Sequence, residues 1–264
     1  MPVVPSPVAA GDGVVLAYGP RVAVAASTFS IPAGRMTAVI GPNGSGKSTL
    51  LNALAGLLQP VAGRLTVYGG RPGAERGRLA YVMQGTRINE VLPLTVREAV
   101  AMGRYARLGY FRWFRAPDRR AVADALETLG LEEVAAAHLT ELSGGQRQRV
   151  FVAQGLVQEA DLVLLDEPLT GLDLVSRDAI QAALRAEIGR GVTVVMTTHD
   201  VAEAGAADHV LLMSGRVQRS GPPAEVLQPQ HLAAAYELGI LHFDGGEVVL
   251  DDPHHGGMRR PPVP

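Results

Sequence analysis

Nine consecutive residues, Gly41-Pro42-Asn43-Gly44-Ser45-Gly46-Lys47-Ser48-Thr49, have the types and spacing that hold a polyphosphate. Gly41, Gly44 and Gly46 allow backbone conformations that a Cβ obstructs, so successive N–H groups can converge on phosphate oxygens. Lys47 would bridge the β- and γ-phosphates, and the Ser48 hydroxyl would hold Mg²⁺. Lys47 is also the only lysine, since every other basic residue among the 24 Lys and Arg is arginine. A compact ammonium therefore stands where a phosphate clamp needs one.

A second group is Leu162-Val163-Leu164-Leu165-Asp166-Glu167-Pro168, an apolar strand that delivers two carboxylates at its end. Asp166 is placed to orient Mg²⁺ through its water shell, and Glu167 to polarise an attacking water. An acidic helix cap is the plainer reading of the same pair. A third group, Leu142-Ser143-Gly144-Gly145-Gln146, opens a helical run with a serine and two glycines. It offers another set of N–H groups at a positive helix end. One nucleotide cannot easily occupy both loops of a single subunit.

These groups need a scaffold of alternating strands and helices. The apolar run Met36 to Ile40 precedes the first loop, and the helix-favouring Leu50 to Ala55 follows it. Val14 to Tyr18 and Val22 to Ile31 read as strands separated by the turn signal Gly19-Pro20. Further strands are expected at Arg64 to Tyr68, Leu79 to Met83, Asp161 to Asp166, Val192 to Thr198 and Val210 to Met213. Helices are expected at Val175 to Arg190 and Val201 to Ala206. Such alternation predicts an α/β fold, a mainly parallel sheet with an antiparallel β-rich entry. From Thr95 to about Gln158 the period turns helical, with Val96, Ala99, Val100 and Met102 on one face and Val122, Ala125, Leu126 and Leu129 on another. Pro117-Asp118 starts the second of these helices and Gly130 stops it. The expected organisation is one domain over 1–250, with a helical subdomain inserted at about 85–160. A tail over 251–264 is expected to be unstructured, which makes His254-His255 beside Asp251-Asp252 a solvated pair rather than a metal site.

A hydrophobic share of 47% over 264 residues suffices for a sizeable core. The net charge of −2 provides no overall attraction to nucleic acid or an anionic bilayer. With no cysteine there is no disulfide framework, thiol nucleophile or thiolate metal site. No apolar run approaches the roughly 20 residues that span a bilayer, and the N-terminus lacks the pattern of a secretory signal.

Together the three groups resemble the ATP-binding subunit of an ABC transporter, with Leu142 to Gln146 matching the family signature and the likeness covering about Val14 to Ser220. The resemblance implies a P-loop core with an inserted helical subdomain, ATP and Mg²⁺ as cofactors, and a head-to-tail dimer. Ser143 and Gly145 would then contact the γ-phosphate held by Lys47 of the partner, with Gly144 and Gln146 counted among the nucleotide-binding residues. It further implies that Tyr18 stacks on adenine, although a core tyrosine is the alternative. Gln84 would reach Mg²⁺ or the water, Asp173 would communicate across the dimer, and His199 would touch the γ-phosphate. Hydrolysis would drive permease subunits, fed indirectly by a solute-binding protein, from the cytoplasmic face of the membrane.

Within the family, Leu92-Pro93-Leu94-Thr95-Val96 and the following Met102-Gly103-Arg104-Tyr105 are most similar to the manganese, zinc and iron importers. Siderophore or haem importers stay open, as does a soluble ABC-type ATPase acting on nucleic acid or ribosomes. The stretch Arg104 to Arg115 interleaves arginines with Tyr105, Tyr110, Phe111, Trp113 and Phe114. It reads as a docking surface for the membrane partner, against the alternatives of a nucleic-acid contact or a plain solvated face.

Overall fold

The structure is a computed structural model that describes residues 7–84, 94–108 and 113–236. Its centre is a sheet whose strands are β3 (Met36–Ile40), β5 (Leu79–Val82), β6 (Leu162–Leu165), β7 (Thr193–Thr198), β8 (His209–Met213) and β9 (Val217–Gly221). They lie in the order β5-β6-β7-β3-β8-β9, and every pair is parallel except β8 with β9. A separate antiparallel sheet has the order β2-β1-β4, from β1 (Pro7–Tyr18), β2 (Arg21–Pro32) and β4 (Ala62–Val67).

The central strands are apolar on both faces, as a sheet covered on both sides requires. Their alternation sorts the core into two clusters. Ala38, Ile40, Val163, Leu165, Val194, Met196, Val210 and Leu212 face one side. Val39, Leu162, Leu164, Val195, Leu211 and Met213 face the other. The second side is covered by α1 (Lys47–Leu54) and the antiparallel sheet. The first is covered by α2 (Val96–Leu108), α3 (Ala116–Thr128), α4 (Gly144–Leu156) and α5 (Leu174–Gly189). Of these, α2 to α4 occupy the chain between β5 and β6. The short α6 (Val201–Gly205) and α7 (Pro223–Val226), then α8 (Pro229–Tyr236), complete the described chain.

The α/β architecture with its antiparallel entry is as expected. Two differences are informative. Met102 is 47% exposed, whereas Val96, Ala99 and Val100 are buried. At about 100° per residue, position 102 lies well off the stripe formed by 96, 99 and 100, so it leaves the core face. Strand β9 and helices α7 and α8 were not read from the sequence. The exposed middle of β9, Gln218 to Ser220, breaks the apolar signal of a strand. The tail and its histidines, and the residues Asn89 to Pro93 and Gly109 to Arg112, lie outside the described residues.

Candidate active site

The site is assembled where parallel strands end. Strand β3 delivers Gly41, and the loop passes through Pro42, Asn43, Gly44 and Ser45 to Gly46, which caps α1 with φ of 101°. That left-handed backbone suits glycine alone, and no side chain caps the helix. The first N–H groups of α1 therefore lack an intrahelical acceptor and are left for an anion. Close approach sets the glycine at 41, because a Cβ there would stand 2.1 Å from the Met213 carbonyl oxygen. Further bonds tie the loop to the sheets, with Gly215 N–H donating to Ser45 O at 3.1 Å and Ala25 N–H to Gly215 O at 2.7 Å.

Lys47 Nζ lies inside this loop, donating to Gly41 O at 2.9 Å and Pro42 O at 3.1 Å. Burial lowers its proton affinity, and the nearby carboxylates of Glu167 and Asp166 oppose that effect. Those carboxylates follow β6, the second strand from β3. Asp166 is buried, with Oδ1 accepting from Thr197 Oγ1 at 2.6 Å. Glu167 has φ of 49° and its N–H donates to the same Thr197 oxygen at 2.7 Å. Neither caps a helix; Asp173 caps α5 and Ser143 caps α4.

Together with Thr170, which the sequence did not single out, two predicted residues, Gln84 and His199, converge on Glu167. Its Oε2 accepts from Gln84 Nε2 at 2.8 Å and from Thr170 Oγ1 at 3.3 Å. His199 Nδ1 lies 4.0 Å from the same oxygen, with its side chain 54% exposed. Tyr18, 50% exposed at the end of β1, is not a core residue. Its hydroxyl accepts from Asn52 Nδ2 at 3.3 Å, which places the ring beside α1. Ser48 is exposed in the first turn of that helix, followed by the half-buried Thr49.

The signature stretch forms a capping box at the other end of the helical layer. Ser143 Oγ accepts from Gln146 N–H at 3.2 Å, and Gln146 Oε1 accepts from Ser143 N–H at 2.9 Å. Gly144 is exposed, while Gly145 is buried against α5, where a Cβ would lie 2.5 Å from Ser176 Oγ and 2.6 Å from Asp173 Oδ2. Asp173 accepts from Ser176 N–H at 2.8 Å and Ser176 Oγ at 3.1 Å, and the first of these holds its carboxyl below the usual range. No hydrogen bond among the described residues links Ser143 or Gly145 to the phosphate loop.

The sequence reading missed Thr170 as well as Thr197, Ser176 and Asn52. Each is a polar residue in a turn or near a strand or helix end, and only Thr197, a hydroxyl in the last two residues of a largely apolar strand, carried a recognisable signal. The donors Ser48, Gln84 and Asp166 are neutral or anionic oxygen groups of the kind Mg²⁺ takes alongside phosphate and water. Among the described residues no cluster of His, Cys, Asp and Glu builds a metal cage instead.

A phosphate-binding loop at the end of β3, with two carboxylates at the end of β6, the second strand away in the same parallel sheet, defines a nucleoside triphosphatase. The ABC transporter family model matches residues 24–170. The zinc transport system ATP-binding protein TroB of Treponema pallidum is 39% identical over 229 residues, 85% of this chain and 85% of that protein. The manganese transport system ATP-binding protein MntB of Halalkalibacterium halodurans is 34% identical over 246 residues, 93% and 98% of the two chains. An inward-facing ABC transporter described as metal-chelate type superposes with a TM-score of 0.76 at 30% identity, over 88% of this chain and 90% of that one. A dimeric, post-hydrolysis ATP-binding cassette bound to ADP and phosphate does so with 0.72 at 26%, over 81% and 98%. The chain belongs to the ABC transporter family, as an ATP-binding subunit that hydrolyses ATP.

Proposed function

We propose that this ATPase drives the import of a metal cation, Mn²⁺ or Zn²⁺, acting as a head-to-tail dimer on membrane-spanning permease subunits. The observation that carries the reading is the similarity to zinc and manganese transport ATP-binding proteins across 85% and 93% of this chain. Import of a metal chelate is the second reading, supported by the likeness to a metal-chelate type transporter. Among the described residues no helix is long and apolar enough to cross a membrane, so solute would pass through the permease. The subunit would sit peripherally at the cytoplasmic face, and a solute-binding protein would supply the cargo. Trp113, 84% exposed, and Tyr105, 57% exposed, would dock on the permease.

In this reading Tyr18 stacks on the adenine, and the loop from Gly41 to Thr49 encloses the phosphates with Lys47 against the β- and γ-groups. Ser48, Gln84 and Asp166 would hold Mg²⁺, which when bound neutralises charge between the phosphates. Glu167 accepts a hydrogen bond from the attacking water and orients it in line with the γ-phosphate. Its ring of partners, Gln84, Thr170 and His199, keeps the carboxylate aimed. His199 and the partner's signature serine would stabilise charge developing on the γ-phosphate.

The test is transport and ATP hydrolysis by the chain assembled with the membrane protein encoded beside it, offered Mn²⁺, Zn²⁺ or an iron chelate with the matching binding protein. Solute-stimulated hydrolysis is expected with Mn²⁺ or Zn²⁺, and Glu167→Gln lowers it at least about 100-fold while ATP still binds. Stimulation by nucleic acid or ribosomes, without a membrane partner, would overturn the reading.

A further inference from the structure

Thr197 stands fully buried in β7, directly after the apolar run Val194 to Met196. A hydroxyl in such a strand is costly unless both its donor and its acceptor capacity are used. Here both are used, and both on the acidic pair. Thr197 Oγ1 donates to Asp166 Oδ1 at 2.6 Å and accepts the Glu167 N–H at 2.7 Å. The parallel register brings this about, because Leu165 pairs with Met196 and the next residues leave β6 opposite Thr197. Its neighbour Thr198 faces the other way, donating to Glu203 at 2.6 Å, so the two hydroxyls serve different elements.

We propose that Thr197 is a positioning residue for ATP hydrolysis, a hydroxyl that ties the carboxylate of Asp166 to the backbone of Glu167. The proposal rests on the roles assigned to those two residues above. Glu167 has φ of 49°, a left-handed conformation that a residue with a side chain adopts only when its surroundings impose it. The bond to Thr197 holds the N–H of that residue, its carbonyl accepts from Thr170 N–H at 3.4 Å, and the side chains of Gln84 and Thr170 hold the carboxylate. Removing the hydroxyl would leave the Glu167 N–H without its threonine acceptor and Asp166 Oδ1 without its threonine donor. The water-orienting group and the metal-orienting group would then lose their fixed separation, whereas the phosphate loop would be untouched. The expected signature is therefore a loss in turnover rather than in nucleotide binding.

The experiment compares Thr197→Val, which keeps the shape and removes the hydroxyl, with Thr197→Ser, which keeps the hydroxyl. Each full chain is assayed for Mg²⁺-ATP hydrolysis, binding of a fluorescent ATP analogue and thermal unfolding, alone and with its membrane protein. Thr197→Val is expected to lower kcat roughly 10- to 100-fold, the loss of a hydrogen bond to a charged group, with KM changed by less than about 2-fold. Thr197→Ser is expected to return kcat to within about 3-fold of wild type. The proposal is overturned if Thr197→Val turns over at the wild-type rate, if the serine variant is as slow as the valine variant, or if KM rises in step with the loss. If the valine variant does not fold, Thr197→Ala takes its place under the same criteria. A wild-type chain that binds ATP without hydrolysing it would remove the site assignment and the proposal together, whereas indifferent variants of an active enzyme remove the proposal alone.

Discussion

Glu167 accepts from a residue at the end of β5 and from one of its own turn, and it faces a histidine at the end of β7. Such convergence on one oxygen makes the carboxylate sensitive to how β5, β6 and β7 end. Gln84 also opens the chain segment that leads to the helical layer, so a shift of that layer would reach Glu167 through one hydrogen bond. The loop is equally tight, since a methyl at position 41 would stand 2.1 Å from the Met213 carbonyl. Gly41→Ala is therefore expected to lower Tm by several degrees, the effect of roughly 1–3 kcal/mol of overpacking, and to weaken ATP binding, both read by thermal shift with and without nucleotide.

Among the elements, the helical layer is held by packing and by the buried Arg104–Asp118 ion pair. Arg104 donates to Asp118 Oδ1 through Nε at 3.1 Å and Nη2 at 2.9 Å, and to Val157 O through Nη1 at 2.9 Å. The first arginine of the expected docking stretch is thus an internal clamp joining α2, α3 and the end of α4. Truncating a core residue of α3 should loosen that layer. Leu126→Ala removes a side chain that is 2% exposed and is expected to cost about 3 kcal/mol in denaturant unfolding. Three helix starts depend on carboxylates held below their usual range by backbone N–H donors: Glu98 by Thr95, Asp118 by Arg115 and Asp173 by Ser176. A carboxylate with a depressed folded pKa contributes stability that is fully present above its unfolded value, near pH 4, and lost as pH falls through the lower folded value. Stability measured by urea unfolding should therefore drop below about pH 4, and Asp118→Asn should narrow that drop.

At the scale of the molecule, the chain carries two glycine-containing loops, each opening a helix, in separate parts of one fold. The phosphate loop sits on β3, and the signature loop starts α4, with Gly145 packed on α5. Ser143 uses its oxygen to cap its own helix, and its hydroxyl proton has no acceptor among the described residues. In a head-to-tail pair that proton would face the partner's nucleotide. Lys47→Ala and Ser143→Arg chains are each expected to be inactive alone. Mixed, they should recover ATPase activity, because one of the two sites in the mixed dimer keeps both Lys47 and Ser143. No recovery on mixing would mean that each site is built within a single chain.

The sequence by itself determined the parts whose chemistry is contiguous. The glycine loop, the acidic strand end and the signature turn each lie within a few neighbouring residues, and the alternation of apolar strands with helices specified a covered parallel sheet. The exposed face of Met102 is legible too, in its helical angle rather than its hydrophobicity. Contacts between distant stretches belong to the tertiary structure. Gln84 and Glu167 are 83 residues apart, and Thr197 stands 31 residues beyond Asp166. Their meeting depends on strand order and register, which no local pattern encodes. The same holds for Gly145, whose missing side chain matters only because Asp173 and Ser176 occupy the space it leaves. Local spacing chose the chemical groups, and the parallel register brought them within hydrogen-bonding distance.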